Sequence, residues 1–303
     1  MEEFRWRPAG FRCVLSHFEA GRLLEAVESG EGRVRVPLDL GRDEGLVSVE
    51  GDGVRVRGVW VSRGELERMV GWEGAYGLSE EGVFRLEIRA GHYYKLLPVR
   101  PGEAPTVEID GIRMHRTKWT DPWTDAGVKV RYARVGRGDR VLDVCTGLGY
   151  TAVRAVERGA EVVSVEKDRC VLELSRANPW SEGLREVRVL VGRAEEVVPE
   201  LGRCEFDAVV HDPPRLARAG ELYSRGFYRA LFRVMRPGAR LVHYVGAPGS
   251  RYRGKDIIRG VARRLVEVGF EVVRVDRRWG LVIAERPNGG GRVRGRRSRR
   301  GGR

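Results

Sequence analysis

Asp143, Gly147, Gly149 and Glu166 are the residues whose types and spacing could do chemistry. Three of them sit in VLDVCTGLGYTAVRA, residues 141–155, where an apolar run ends, a glycine-bearing turn follows and an apolar helix begins. In an open parallel sheet a ligand sits beyond the carboxyl ends of the strands, and glycines there let it approach the backbone. Glu166 comes 23 residues after Asp143, the spacing of one strand–helix–strand unit, so its carboxylate can accept both hydroxyls of a ribose. GLGYTA also satisfies the G-x-G-x-x-A form of the nicotinamide fingerprint. Asp143 discriminates, because an acid four residues before Gly147 would repel a pyrophosphate and attract a cationic sulfonium amino acid. That favours S-adenosylmethionine over NAD. The alternative role for Asp143 is to tie down the following turn by hydrogen bonds.

The elements that must position these residues follow from patterning. From Thr124 onward strands alternate with helices, the rhythm of a parallel sheet covered on both faces. Helices are expected at Asp125 to Val135, Tyr150 to Arg158, Arg169 to Ala177, Glu195 to Leu201, Leu222 to Met235 and Asp256 to Val268. Strands are expected at Arg140 to Val144, Glu161 to Val165, Glu186 to Val191, Phe206 to His211 and, after a Pro237-Gly238 stop, Arg240 to Val245. Two last strands, Glu271 to Val275 and Leu281 to Ala284, are joined by a short turn and should pair antiparallel. The pattern predicts an α/β fold: a Rossmann-like, doubly wound, mostly parallel seven-stranded sheet with an antiparallel last strand, over residues 116–287. Residues 1–115 read as a small N-terminal α+β domain with strands such as Val34 to Leu40, Leu46 to Val49 and Val54 to Val61. GDG at 51–53 marks a hairpin turn there, and one helix is expected at Gly64 to Val70. This unit carries no chemical motif, and a substrate-positioning role is its default reading.

Residues 119–287 resemble class I S-adenosylmethionine-dependent methyltransferases. TDPWTDAGVKVRYARVGRGDRVLDVCTGLGYTA also resembles a group of archaeal RNA methyltransferases known from sequence. The resemblance implies that Asp143, Cys145, Thr146, Gly147, Gly149 and Tyr150 form the turn around the methionine part of the cofactor. It makes Glu166 the ribose ligand and places adenine beside Lys167 and near Gly192, Arg193 and Ala194. Two positions depart from the family pattern: Cys145 replaces a glycine, and Arg193 replaces a frequent acidic adenine contact, leaving backbone groups to recognise that ring.

The fourth strand of the pattern ends in HDPPR, residues 211–215, which resembles the D/N-P-P-aromatic signature of enzymes that methylate exocyclic amino groups of nucleobases. Such an amino group is conjugated with its ring and is a poor nucleophile. Asp212, also near the cofactor, and the Pro213 carbonyl could each accept one amino proton and aim the lone pair at the methyl carbon, with Pro213 and Pro214 fixing the backbone. No metal is implied. Arg215 stands where the signature carries an aromatic residue; a guanidinium can stack on a base or bind phosphate. Tyr223, His243, Tyr244 and Arg251 are further candidates for a substrate pocket, with packing or solvation as the alternative for each.

Composition narrows the partners. The net charge is +13 and seven arginines fall in residues 288–303, NGGGRVRGRRSRRGGR, leaving +6 on the rest. An arginine/glycine-rich tail of this kind is expected to be a disordered arm on an RNA backbone, or else a solubilising extension. Apolar residues make up 42%, but no run approaches a membrane span, and MEEFRWRPAG lacks an export signal, so a cytoplasmic enzyme is expected. The four cysteines form no CxxC pair, the histidines have no metal-ligand spacing, and HExxH, G-x-S-x-G and GK[ST] are missing. Glutamine is absent and arginine dominates the basic residues, as in heat-adapted or GC-rich sources. The leading expectation is methylation of rRNA or tRNA. The rival is a polyamine aminopropyltransferase or other small-molecule transferase, because GELYSRGFYRALFRVMRPGARLV, residues 220–242, resembles a segment of spermidine synthases.

Overall fold

A run of β-branched residues, Val141, Val144, Val162, Val163 and Val165 among them, builds the centre of an eight-stranded sheet that is buried on both faces. The computed structural model describes residues 1–246, 251–252 and 255–288, with backbone alone at 251, 252 and 255. The expected tail beyond Asn288 and the side chain of Arg251 lie outside the described residues.

Seven strands come from the second part of the chain: β1 (Arg140–Val144), β2 (Glu161–Glu166), β3 (Arg188–Val191), β4 (Phe206–His211), β5 (Met235–Tyr244), β6 (Glu271–Asp276) and β7 (Leu281–Glu285). Their order is β3-β2-β1-β4-β5-β7-β6. The first five run parallel, whereas β7 lies antiparallel between β5 and β6. The expected seven-stranded sheet is therefore incomplete by one strand. Glu2–Phe4 pairs antiparallel with β3 and covers that edge. The preceding helix does end ahead of Pro237-Gly238, at Val234, but the strand expected from Arg240 already begins at Met235, so both residues lie within β5, where the register to β4 jumps from Phe206–Met235 to Ala208–Arg240. An irregularity of this kind accommodates a proline that cannot donate to the ladder.

The helices that matter for the site start from strong caps. Helix α1 (Pro122–Tyr132) begins three residues before its expected start, because Asp121 accepts hydrogen bonds from Trp123 and Thr124 N–H and Pro122 fills the first helical position. Helix α2 (Tyr150–Val156) opens directly after Gly149. Helices α3 (Arg169–Arg176), α4 (Arg225–Val234) and α5 (Ile257–Val268) cover the sheet further along, α3 and α5 capped by Asp168 and Asp256. None of the helices is long and apolar enough to cross a membrane among the described residues.

The N-terminal unit contains two helices, not one. His17–Ser29 was missed by the periodicity, although Ser16 and Glu19 form a capping box that signals it and Gly30 closes it in a left-handed conformation. The run Val54 to Val61 is two strands, Gly53–Val56 and Val59–Ser62, reversed at Arg57-Gly58, both at positive φ. Of the two turn glycines expected in GDG, only Gly51 takes positive φ; Gly53 belongs to the next strand. This unit has its own core around Leu15, Leu23, Val36, Val56 and Leu66. A separate apolar cluster joins Val14, Tyr94 and Leu96 to Ala126, Leu148, Tyr150 and Val171, so the two units share buried surface. Trp6, 8% exposed, adds to this weld: its indole N–H donates to Ser175 Oγ at 3.1 Å. Calorimetry should therefore record one cooperative transition, shifted down in Trp6→Ala by the roughly 3–5 kcal/mol that loss of a buried aromatic costs. Two separate transitions would contradict the shared core.

Candidate active site

The tips of β1 and β4 lie side by side. Val144 pairs with His211, and the Asp212 N–H donates to the Val144 carbonyl at 3.2 Å, so the acid turn after β1 and the Pro-Pro segment after β4 open to the same end of the sheet. Cys145 takes φ +72°, Gly147 +55° and Gly149 +84°. A left-handed Cys145 explains why a glycine suits this position, since a side chain there is strained. Cys145 and Thr146 N–H both donate to the Val165 carbonyl, and Thr146 Oγ1 lies 2.5 Å from Ser164 Oγ. A Cβ added at Gly149 would come within 2.6 Å of the Leu184 side chain, so that glycine is required by packing.

Asp143 is completely buried. Its two carboxylate oxygens accept hydrogen bonds from Thr151 Oγ1 at 2.5 Å and Ser164 Oγ at 2.6 Å. Burial pushes its carboxyl up to about 6, against the pull of those two hydroxyls. Asp143 therefore ties the turn to its neighbours, the alternative the sequence left open, in place of direct contact with a cationic ligand. Glu166 caps the same turn from β2: Oε2 accepts the Gly147 N–H at 2.9 Å, while Oε1 accepts those of Lys167 and Asp168. Burial pushes this carboxyl up as well, opposed by the three backbone donors.

Beside Asp212 lies a buried chain of alternating charges. Lys129, from α1, is 5% exposed and places Nζ 2.5 Å from Asp212 Oδ2 and 2.6 Å from Asp125 Oδ2, with the Tyr244 ring centroid at 4.8 Å. Arg116 continues the chain, donating to Asp125 Oδ1 at 3.1 Å and to the Trp279 carbonyl at 3.3 Å. Burial alone would push the Lys129 ammonium down, but Asp125 and then Asp212 outweigh it and hold it above the usual lysine value. The ammonium and the Tyr244 ring thus stack beside the tip of β4. His115, which ends the N-terminal unit, approaches from another side. Its Nδ1 is 2.9 Å from Thr106 Oγ1, and its Nε2 would lie 3.6 Å from a Cβ on Gly147. Burial, helped by the Lys129 charge, pulls this imidazole down to about 4 and keeps it neutral near pH 7.

Residues 128–223, from within α1 to the segment after the Pro-Pro turn, match the family model described as Conserved hypothetical protein 95. The uncharacterized protein MJ1233 of Methanocaldococcus jannaschii is 48% identical over 213 residues, covering 69% of this chain and 73% of that one. The chain belongs to the class I S-adenosylmethionine-dependent methyltransferases. A relative named as an uncharacterized RNA methyltransferase, R00878 of Rhizobium meliloti, is 34% identical over 147 residues. That match covers 46% of this methyltransferase and 33% of R00878, so the chain spans about a third of that protein. Among solved structures, spermidine synthase in complex with the transition state analogue AdoDATO has a TM-score of 0.51 at 16% identity, covering 66% of this chain and 72% of that one. This likeness is one of fold.

The residues of this methyltransferase fit its cofactor. Gly147 adds no side chain of its own to the turn, which His115 flanks on one side, and Glu166, partly exposed, stands at the neighbouring strand tip where a ribose would lie. Lys167 is exposed beside it. Ala194 is buried at the start of a short helix, and Arg193 is turned outward among Glu195, Glu196 and Glu221. Tyr150 does not line the turn: it is 2% exposed, and its hydroxyl donates to the Pro105 carbonyl at 2.7 Å, because the first turn of α2 packs under the N-terminal unit.

Two of the expected substrate residues are also structural. His243 is fully buried against His211, their ring centroids 4.3 Å apart, with Nε2 3.0 Å from the Tyr228 hydroxyl; inward-facing positions of a central strand leave it no route to a ligand. Tyr223, 2% exposed, donates its hydroxyl to the Pro214 carbonyl at 3.0 Å and so supports the Pro-Pro turn from behind. Arg215 is exposed. A cleft of about 410 Å³ between the units, lined in part by Phe11, Arg42, Arg57 and Arg176, shares no residue with the strand tips, and its Arg57 is paired with Asp39 and Asp43. Lys129, Asp125 and His115 were not foreseen. The i, i+4 spacing of Asp125 and Lys129 was visible, yet it reads equally as a surface helix pair.

Two measurements probe this arrangement. Since the Asp143 carboxyl is raised on folding, its contribution to stability is greatest below the unfolded value near 3.9 and declines as pH rises through about 6. Urea melts should show Asp143→Asn losing less stability than the parent between pH 4.5 and 7, by about 2–3 kcal/mol. Lys129→Met leaves Asp212 and one side of Asp125 uncompensated and should cost about 3–5 kcal/mol in urea melts at pH 7. A loss as large in the double variant Lys129→Met, Asp212→Asn would mean that lost packing, not an uncompensated charge, is responsible.

Proposed function

We propose that this methyltransferase acts on RNA, at an exocyclic amino group of a base in rRNA or tRNA. One observation carries the reading. At adjacent residues of the turn after β4, Asp212 Oδ1 and the Pro213 carbonyl have no hydrogen-bond partner among the described residues, whereas Asp212 Oδ2 is held by Lys129 and the Pro214 carbonyl by Tyr223. Two fixed neighbouring acceptors suit the two protons of a planar amino group. Accepting both draws the nitrogen towards tetrahedral geometry and turns its lone pair to the adjoining turn after β1.

Bound S-adenosylmethionine supplies an electrophilic methyl on a positively charged sulfur. As the N–C bond formed, the S–CH3 bond would break with its electron pair returning to sulfur, S-adenosylhomocysteine would leave as the neutral thioether, and the surplus proton of the now cationic nitrogen would pass to Asp212 or through it to water. Lys129 keeps Asp212 in one rotamer and its charge in place during that step. Burial pushes the Cys145 thiol well up, leaving it protonated, so it is not suited to act as a nucleophile on a base. RNA as the polyanion is supported by the net charge of +13 and by the naming of R00878. A polyamine substrate fits less well, because Asp212 and Asp125, acids at this end of the sheet, are already neutralised by Lys129 and Arg116.

The test is transfer of labelled methyl groups to unmodified rRNA and tRNA, followed by nucleoside mass spectrometry. An N-methylated adenosine, cytidine or guanosine is expected. Label confined to protein or to small amines would sink the RNA assignment, and a C5-methylated pyrimidine would sink the amino-group chemistry. Asp212→Asn should reduce turnover by about 100-fold or more while cofactor affinity stays within about twofold.

A further inference from the structure

Trp119 is 87% exposed, the most exposed large apolar side chain among the described residues, and its φ is +68°. Bulky residues rarely adopt that conformation, and it persists only where the surroundings impose it. Here they do. Three residues earlier, Arg116 is fastened to Asp125 and to the Trp279 carbonyl, with its guanidinium 5.1 Å from the Trp279 ring centroid. One residue later, the Thr120 carbonyl accepts a hydrogen bond from Arg100 at 3.0 Å, and Asp121 then caps α1. The indole is thus held out into solvent by a short segment clamped at both ends. One clamp, Asp125, also grips Lys129 and through it Asp212. The exposed Lys118 places its ammonium 5.4 Å from the indole centroid.

An isolated exposed apolar residue needs no explanation, but a strained, clamped indole beside an ammonium with no acidic partner among the described residues, at the reacting end of the sheet, does. The Pro-Pro turn supplies no aromatic surface of its own, since Arg215 follows it. We infer that Lys118 and Trp119 form a nucleotide platform, on which the indole stacks against an unpaired base of the RNA substrate and the ammonium neutralises a neighbouring phosphate. This rests on the RNA reading above and adds a binding site to it. Every base has a π-face, so the platform positions the strand without reading its sequence. Choice of the methylated atom remains with the Asp212-Pro213 acceptors.

The experiment is fluorescence anisotropy of the full chain with a fluorescein-labelled, mixed-sequence single-stranded RNA of 20 nucleotides, in parallel with methyl transfer to unmodified rRNA and tRNA. Trp119→Ala should weaken binding roughly tenfold or more. Trp119→Phe should restore most of that loss, and Lys118→Met should lower the slope of log K against log salt by about 0.7. Thermal stability and S-adenosylmethionine affinity should not change in any of the three, because neither side chain is packed. Parent-like binding by Trp119→Ala overturns the platform while methyl transfer to RNA keeps the functional reading intact. A parent chain that neither binds the oligonucleotide nor methylates RNA overturns both. If Trp119→Ala instead turns a dimeric parent into a monomer by sedimentation, the indole is a contact between copies of the chain and the platform falls.

Discussion

The geometry of the reacting end depends on one buried ion pair, Lys129 with Asp212, held inside a longer chain that runs through Asp125 to Arg116. Charges removed from water are costly unless each meets an opposite partner at hydrogen-bond distance, and here two cations and two anions alternate. Their neutrality lets an ionised carboxylate sit at 22% side-chain exposure beside a Pro-Pro turn. A buried ion pair is weak evidence of stability, because apolar residues of the same volume often serve as well. What this one supplies is placement: α1, β4 and the segment leaving the N-terminal unit are locked to each other at the point where a methyl group would move.

The same chain explains why the N-terminal unit cannot be regarded as an accessory. Arg116 and His115 close its last strand and reach the site, Tyr150 of α2 bonds back to the Pro105 carbonyl, and one apolar cluster contains side chains from both units. The glycine turn is consequently roofed on one side by residues encoded well before it. A domain that would read from its own sequence as a substrate handle ends in residues that lie beside the glycine turn and join the buried ion chain.

Much of this was legible in the sequence, for identifiable reasons. Periodicity located every strand of the large sheet from β1 to β7, the central ones because they are buried and largely apolar, and β6, whose Val273 and Val275 are exposed, because it alternates with a β-branched run. The glycine turn and the DPP turn were readable because chemistry there demands particular residue types. The rest was hidden by physics that acts at long range. Glu2–Phe4 carries too little pattern in three residues to announce a strand, and its partner is distant in sequence. Lys129 looked like one more helical lysine, since only the tertiary fold removes it from water. Tyr150, Tyr223 and His243 misled in the other direction: polar tips near strand ends suggest ligands, but each tip is spent on an internal partner. Asp143 lies in β1 just before the turn, and its hydrogen bonds to Thr151 and Ser164 make it a brace, the alternative role that its spacing also allowed.

The edge strand Glu2–Phe4 also sets an order of events during biosynthesis. Its ion-paired neighbour across the ladder, Arg188, lies 185 positions beyond Glu3, so most of the polypeptide must be made before this edge can close. Until β3 has been made, the early-made tripeptide has no strand to pair with. Closure comes late and from far away, which slows assembly and leaves a nascent chain open to wrong strand partners. The reward is a ring-like topology in which the beginning of the fold and its middle are stitched together, so fraying from that side must first break contacts that span both halves.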